Sequence, residues 1–322
     1  VIVTKSTVPV GTSYRVRDHV RAAIDAKGAD VDFSVASNPE FLREGAAIAD
    51  FMRPDRIVIG ADDEAAMAIL KDLYRPLFLN ETPFVLTNIA TSELTKYAAN
   101  AFLATKISFI NEIANLCEEV GGDVQAIARG IGLDGRIGKK VLLAGPGYGG
   151  SSFPKDTESA AFFAREQGSS LQIVEAVIEV NRQQKKRMVE KIRAALGGDL
   201  QGKTVGLLGL SFKPETDDMR EAPAIDIVQG LVEGGAVVRA FDPVAMKEAA
   251  KILGDVTYCK DSYEACENAD AMVLVTEWNQ FRALDLERVR QKLRRPVVVD
   301  LRNVYDPKPM LEAGFDYHCV GR

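Results

Sequence analysis

Roughly 30 residues from Thr91 to about Val120 read as one long helix, which at about 1.5 Å per residue is a rod of about 45 Å. A rod of that length ordinarily spans between domains or between subunits, so it organises what lies on either side. Thr91 is placed to cap its start, Glu93 suits the positive end of its dipole, and Gly121-Gly122 end it. Before the rod, strand patterns at Val1–Thr4, Phe33–Ala36, Arg56–Ile59 and Phe84–Leu86 alternate with helical patterns at Ser13–Ala26 and Glu64–Tyr74. Such alternation predicts a parallel sheet with both faces covered. Only part of a sheet is available there, so further strands and a glycine-rich phosphate loop are expected upstream of Val1. Beyond the rod, helix is expected at Val124–Ile131 and from Asp156 to Leu196, broken by the loop Gly145–Gly150. Gly197-Gly198-Asp199 reads as a hinge. After it come strands Thr204–Leu208, Val237–Phe241, Val256–Tyr258, Ala271–Val275 and Pro296–Asp300, with helices Ala222–Gly234, Ser262–Asn268 and Leu284–Lys292 between them. That order predicts a doubly wound unit.

Composition narrows the function. The chain of 322 residues is 47% hydrophobic and 27% charged, which suits a folded protein with a sizeable core. Its net charge of -6 and pI near 5.3 argue against a broad nucleic-acid face, while leaving room for a local basic pocket. No apolar run approaches the roughly 18 residues of a membrane helix. Cys117, Cys259, Cys266 and Cys319 form no CxxC pair, and His19 and His318 lie far apart. A zinc cage, a disulfide framework and a Ser-His-Asp triad are therefore not expected, and a reducing cytoplasm is the natural compartment. The acidic run Glu215-Thr216-Asp217-Asp218 reads as a solvated turn and not as a metal site.

Several segments carry the residue types of a site. Lys96 and Asn100 are four apart and share a helical face among Leu94, Ala98, Ala99 and Ala101. A lone helical lysine is ordinarily solvated, but one on a crowded face needs a phosphate or a carboxylate. Gly145-Pro-Gly147-Tyr148-Gly149-Gly150 allows close backbone approach to an anion and opens into the next helix, whose N-terminus adds a positive dipole. Ser37-Asn-Pro-Glu40-Phe41-Leu42-Arg43-Glu44-Gly45 follows a strand, at the strand end where ligands of parallel sheets sit. Phe212 to Arg220 leaves another strand with the cations Lys213 and Arg220, and Asp300-Leu-Arg302-Asn303 leaves the last one. Gly206-Leu-Leu-Gly209-Leu-Ser211 matches a dinucleotide fingerprint only in part and does not establish one.

Taken together, Lys5-Ser6-Thr7-Val8-Pro9, Ser37–Gly45, Glu93–Asn100, Gly145–Asp156, Phe212–Arg220 and Thr276-Glu277-Trp278 resemble the nucleotide-sugar 6-dehydrogenases in order and spacing. Lys96-Tyr-Ala-Ala-Asn100 and Phe41-Leu-Arg-Glu-Gly45 favour the UDP-glucose branch over GDP-mannose or UDP-N-acetyl-hexosamine enzymes. The resemblance implies an α/β fold: a remnant of an N-terminal Rossmann-like NAD-binding domain over 1–90, a long central helix with a helical dimerisation domain over 91–198, and a C-terminal Rossmann-like UDP-sugar domain over 199–322. It implies oxidation of the C6 alcohol of UDP-glucose to UDP-glucuronate with two NAD⁺ in succession, in a cytoplasmic homodimer with neither nucleic-acid nor membrane partners. Thr7, Glu40, Lys96, Asn100 and Asp156 are expected around the reacting carbon and its water. Phe41, Leu42, Arg43, Glu44, Arg136, Leu143, Ala144, Gly145, Gly147, Tyr148, Gly149, Phe212, Lys213 and Arg302 join Lys96 and Asn100 on the substrate. Ser6, Thr7, Glu44, Ser152 and Arg220 are expected at NAD, and Arg136 at the neighbouring subunit's site.

One position departs from the family pattern. Where it reads Gly-Gly-Ser-Cys-Phe-Pro with cysteine as nucleophile, this chain has Ser152. A thiolate traps the aldehyde as a thiohemiacetal and then carries a thioester, whereas a serine hydroxyl needs a strong adjacent base. Ser152 is therefore expected to impair oxidation and spare binding, whether it is an engineered exchange or a natural variant. A nucleotide-sugar-binding protein without catalysis is the competing reading. Phe102, Leu103, Ile107, Phe109, Ile110, Ile113 and Leu116 give the rod more apolar surface than one small domain covers, which points to a dimer interface.

Overall fold

The computed structural model describes residues 1–80 and 82–322. In chain order its elements begin β1 (Ile2–Thr4), α1 (Thr12–Ala26), β2 (Val35–Ser37), α2 (Ala47–Met52), β3 (Ile57–Ala61), α3 (Glu64–Leu73), a 3-10 turn (Arg75–Asn80) and β4 (Phe84–Thr87). The helices α4 (Ile89–Val120), α5 (Val124–Gly132), α6 (Phe153–Glu166) and α7 (Gln172–Ala195) follow. Then come β5 (Thr204–Leu208), α8 (Pro223–Glu233), β6 (Val237–Phe241), α9 (Met246–Ala249), β7 (Val256–Tyr258), α10 (Ser262–Ala265) and β8 (Ala271–Leu274). The chain closes with α11 (Asn279–Arg282), α12 (Leu286–Lys292), β9 (Val297–Asp300), α13 (Pro307–Glu312) and β10 (Asp316–Cys319). Two units result, one of Val1–Phe102 with Asp156–Leu171, the other of Leu103–Lys155 with Gln172–Arg322. Among the described residues no helix is long and apolar enough to cross a membrane.

In the first unit the strand order is β1-β2-β3-β4. β1/β2 and β3/β4 are parallel, but β2 and β3 run antiparallel, so the expectation of a wholly parallel sheet is corrected. Both strands of that pair are buried along their length, and an unbroken buried run carries no alternation that encodes direction. Ile57, Ile59, Ala66 and Leu70 form the core between this sheet and α3.

α4 starts two residues earlier than the sequence pattern indicated. The cap is not Thr91: the Thr91 backbone N–H donates to the Asn88 side chain at 2.8 Å. At the far end Gly121 takes φ +71° and Gly122 N–H donates to the Cys117 carbonyl at 2.9 Å, a Schellman closure. Glu93 does not serve the dipole of its own helix. Its buried carboxylate accepts from Gly11 N–H at 2.6 Å, from Ser13 N–H at 2.9 Å and from the Ser13 hydroxyl at 2.8 Å, so it caps α1 across the unit.

The second unit's sheet has the order β10-β9-β8-β5-β6-β7, and every pair is parallel. Its central strands feed two cores by strict alternation. Ala271 and Val273 of β8 and Val297 and Val299 of β9 face one core with Ile192, Met188 and Ile227. Met272, Leu274 and Val298 face the other with Phe281 and Met310. Several features depart from the sequence reading, among them the unexpected short helix α9 and the end of α10 at Ala265 and not Asn268. The helix expected over Asp156–Leu196 is two helices, parted after Glu166 by Gly168 at φ +71°. The one expected over Leu284–Lys292 starts at Leu286, with α11 ahead of it. α13 and β10 were not foreseen, because Asp316-Tyr-His-Cys319 lacks an apolar strand pattern and is held at the sheet edge by pairing with β9.

Replacing Glu93 by Ala strips three donors, two of them buried, of their acceptor and should cost about 2–3 kcal/mol of stability. Urea unfolding measures it, and an unchanged midpoint would show that α1 does not depend on this cap.

Candidate active site

In the first unit the expected catalytic groups on α4 are buried with acidic partners. Lys96 is 3% exposed and its Nζ lies 3.5 Å from Glu40 Oε1. It also sits 5.1 Å from the centre of the Phe41 ring, which carries the Arg56 guanidinium 3.6 Å away. Burial lowers the Lys96 pKa from the ordinary lysine value, while the charges of Glu40 and Asp156 oppose that fall. One turn on, Asn100 Nδ2 donates to Asp156 Oδ2 at 2.6 Å, and both residues are buried. A buried cation, an amide donor and two carboxylates can stabilise a developing oxyanion and handle a proton.

Glu40 is fixed from its own loop, where its second oxygen accepts from Leu42 N–H at 2.6 Å. That loop is anchored by Lys5, whose Nζ donates to Asn38 Oδ1 at 3.1 Å and contacts Tyr74 OH at 3.1 Å. Asn38 in turn donates to the Val58 carbonyl at 2.7 Å. Arg43 and Leu42 turn outward, Arg43 being paired with Asp50 at 2.6 Å.

β1 and β2 are parallel, so the loop bearing Ser6 and Thr7 and the loop bearing Glu40 and Glu44 leave the same edge of the sheet. Ser6 is exposed there, and Thr7 and Glu44 are half-buried, which gives hydroxyls and a carboxylate suited to the hydroxyls of a dinucleotide. The α1 N-terminus offers no cradle for its phosphates, since Glu93 already takes the N–H groups of Gly11 and Ser13.

In the second unit the loop Ala144–Gly150 is buried and has no regular secondary structure. Several of its glycines have close neighbours. A Cβ at Gly145 would come 3.2 Å from Arg302 Nη1, one at Gly149 would overlap the Glu221 carbonyl, and one at Gly150 would reach 2.6 Å from the Phe212 ring. Gly145, Phe212 and Arg302 therefore meet, with Arg302 also donating to the Val275 carbonyl at 2.9 Å and the Phe212 carbonyl at 3.3 Å. Glu277 lies 3.1 Å from Arg302. Lys213 is 5.8 Å from the Phe212 ring centre, and Tyr148 packs edge-on against Phe153 at 6.0 Å. Ser152 is half-buried and immediately precedes α6.

Besides Ser6, Leu42 and Arg43, three further expected residues lie on the surface. Arg136 pairs with Asp134 at 2.6 Å with its side chain 90% exposed, Leu143 is 80% exposed, and Arg220 pairs with Asp218 at 2.8 Å. The partial fingerprint Gly206–Ser211 has a packing role. A Cβ at Gly206 would lie 2.7 Å from the Ala265 carbonyl, and one at Gly209 would lie 2.5 Å from Thr276. Asp242, at the end of the next strand, is fully buried and spends its carboxylate internally. It accepts from Leu210 N–H at 2.8 Å, Ser211 N–H at 3.1 Å, Trp278 Nε1 at 3.1 Å and Ala245 N–H at 2.8 Å.

The sequence reading missed Lys5, Asn38, Asn111, Asn181, Gln184 and Glu277 as residues that hold these loops. For Asn181 and Gln184 a signal existed, because they interrupt the buried stripe Val177, Met188, Ile192 of α7 with amides. Among the described residues no cluster of His, Cys, Asp and Glu could hold a metal ion.

The comparisons with known proteins agree along the whole chain. Three models of the UDP-glucose/GDP-mannose dehydrogenase family match: the NAD binding domain at residues 1–78, the central domain at 90–183 and the UDP binding domain at 206–307. The cofactor is accordingly NAD. The UDP-glucose 6-dehydrogenase of Rhizobium meliloti is 53% identical over 324 residues, covering 100% of this chain and 73% of the relative. The UDP-glucose 6-dehydrogenase TuaD of Bacillus subtilis is 48% identical, covering 100% and 68%. A UDP-glucose dehydrogenase structure from the hyperthermophilic archaeon Pyrobaculum islandicum superposes with a TM-score of 0.87 at 42% identity, covering 98% of this chain and 69% of that one. A UDP-D-ManNAc dehydrogenase from Pyrococcus horikoshii, at 24% identity and a TM-score of 0.84, shares the fold. With half its residues shared across its full length, the chain belongs to the UDP-glucose/GDP-mannose dehydrogenase family.

Proposed function

We propose that the chain binds UDP-glucose and belongs to an NAD-dependent enzyme that oxidises its C6 alcohol to the carboxylate of UDP-glucuronate. The observation that carries this reading is the buried set of Lys96 with Glu40 and Asn100 with Asp156. Each oxidation removes a hydride from C6 and a proton from the hydroxyl that C6 carries, and one water supplies the second carboxylate oxygen. NAD, when bound, accepts the hydride, twice in succession. Lys96 and Asn100 stabilise the oxyanion that develops on C6, and Asp156 and Glu40 move the proton and order the water, with Thr7 beside them. The sugar nucleotide is held by Phe41, Leu42, Arg43, Glu44, Leu143, Ala144, Gly145, Gly147, Tyr148, Gly149, Phe212, Lys213 and Arg302. Ser6, Thr7, Glu44, Ser152 and Arg220 serve NAD. On this reading residues 1–90 are the C-terminal part of the NAD-binding domain, 91–198 the central dimerisation domain and 199–322 the UDP-sugar domain.

Ser152 stands at the nucleophile position. A thiol there adds to the C6 aldehyde, the resulting thiohemiacetal loses hydride from C6 and a proton from its hydroxyl as a thioester forms, and water then releases the carboxylate and the thiol. A serine hydroxyl has a far higher pKa and is a weaker trap, so this chain is read as a binder that oxidises poorly. The cytoplasm suits it, since Cys117, Cys259, Cys266 and Cys319 are all buried free thiols, with burial raising Cys266 to about 12. The homodimer reading draws support from α4, where Phe109 is 49% and Leu116 57% exposed at a seven-residue spacing that puts both on one face. Arg136 would act across that interface.

Three outcomes are expected. Ser152→Cys should raise NADH formation from UDP-glucose by roughly 10³-fold or more. Equal turnover in the two chains would remove the nucleophile from position 152, and silence in both would favour a binding protein. Glu40→Gln removes the charge that supports protonated Lys96 and should lower the Lys96 pKa further, read as acylation of Lys96 at lower pH by mass spectrometry. A rise would show that Glu40 is not its counter-ion. Phe109→Glu should convert a dimer to a monomer in sedimentation equilibrium, whereas a dimer that survives it uses another face.

A further inference from the structure

Ala144–Gly150 is a buried segment without helix or strand, so its backbone N–H and C=O groups need partners from side chains. Gly150 N–H donates to the Arg220 carbonyl at 2.8 Å, and three further bonds come from two neighbouring amides of α7. Asn181 takes both groups of one residue: Tyr148 N–H donates to Asn181 Oδ1 at 2.8 Å, and Asn181 Nδ2 donates to the Tyr148 carbonyl at 3.0 Å. Gln184 Nε2 donates to the Gly145 carbonyl at 2.9 Å, while its own Oε1 accepts from Asn115 Nδ2 at 2.9 Å. Asn111 accepts from Gly145 N–H at 2.8 Å. Three apart on α7, Asn181 and Gln184 lie on one face and are 7% and 2% exposed among Val177, Met188 and Ile192. Gly147, at φ +111°, completes the fit, because a Cβ there would stand 2.8 Å from Asn181 Oδ1.

The other side of this loop is where Gly145 abuts Arg302 and Gly150 abuts the Phe212 ring. A loop shifted by an ångström would displace one of those contacts. We propose that Asn181 and Gln184 are positioning residues that lock the glycine-rich loop in the form that receives the nucleotide sugar beside Phe212 and Arg302. The inference rests on the UDP-sugar reading given above and adds to it the residues that set the loop's conformation.

Asn181→Leu removes both bonds while keeping the branching of the heavy atoms, and Gln184→Glu keeps the bond from Asn115 while losing the one to Gly145. Hydrogen exchange of the loop amides and calorimetric binding of UDP-glucose are compared in the unaltered chain and in each variant. The Tyr148 amide should exchange about ten-fold faster or more in Asn181→Leu, with β5 and β8 amides unchanged, and UDP-glucose should bind about ten-fold more weakly in both variants. Unchanged loop exchange, faster exchange with unaltered affinity, or equal acceleration throughout the β5–β8 core would overturn the proposal. If the unaltered chain binds no UDP-glucose, the functional reading itself fails, an outcome distinct from equal binding by all three chains.

Discussion

A polar group taken out of water must find a partner inside the protein, and this requirement governs the interior of this chain. Lys96 is buried with Glu40 and the Phe41 ring, and Asn100 with Asp156. Glu93 is buried against the N–H groups that open α1. An unpartnered amide or ion in such surroundings costs several kcal/mol, more than one ordinary contact returns. Each buried polar group therefore fixes the elements that answer it, and the loops of the candidate site are held by this means more than by apolar packing.

The same requirement consumes groups that could otherwise hold an anion. Helix N-termini and a carboxylate after the second strand are the usual equipment of a dinucleotide site. In the first unit the α1 N-terminus is taken by Glu93. In the second, Asp242 is surrounded by its own loop and by Trp278. Arg302, bonded to the Val275 and Phe212 carbonyls and paired with Glu277, meets the glycine loop together with Phe212, and both residues fall in the span 206–307 that matches a UDP binding domain.

Much of the architecture was legible in the sequence. β5, β6 and β7 fall where the apolar runs place them, and α4 differs from its pattern by two residues at the start. The family was legible too, because its motifs join residue types to fixed spacings. The misses share a cause. The antiparallel β2/β3 pair, the break after Glu166 and the edge strand β10 depend on partners distant in sequence, and local pattern does not encode them. Glu93 was assigned to its own helix because helix-dipole reasoning is local, while its acceptors' partners lie about 80 residues earlier in α1.

The sequence by itself determined the alternation of strands and helices, the length of α4, the glycine loop, and the placing of Lys96 and Asn100 on one helical face. These follow from steric propensity and from the helical period, which act within a few residues. Only the tertiary structure decided which groups pair: Lys96 with Glu40, Asn100 with Asp156, and the loop amides with Asn181 and Gln184. Pair formation depends on distance and desolvation in three dimensions, and residues from 33 to 56 positions apart acquire both only once the chain has folded.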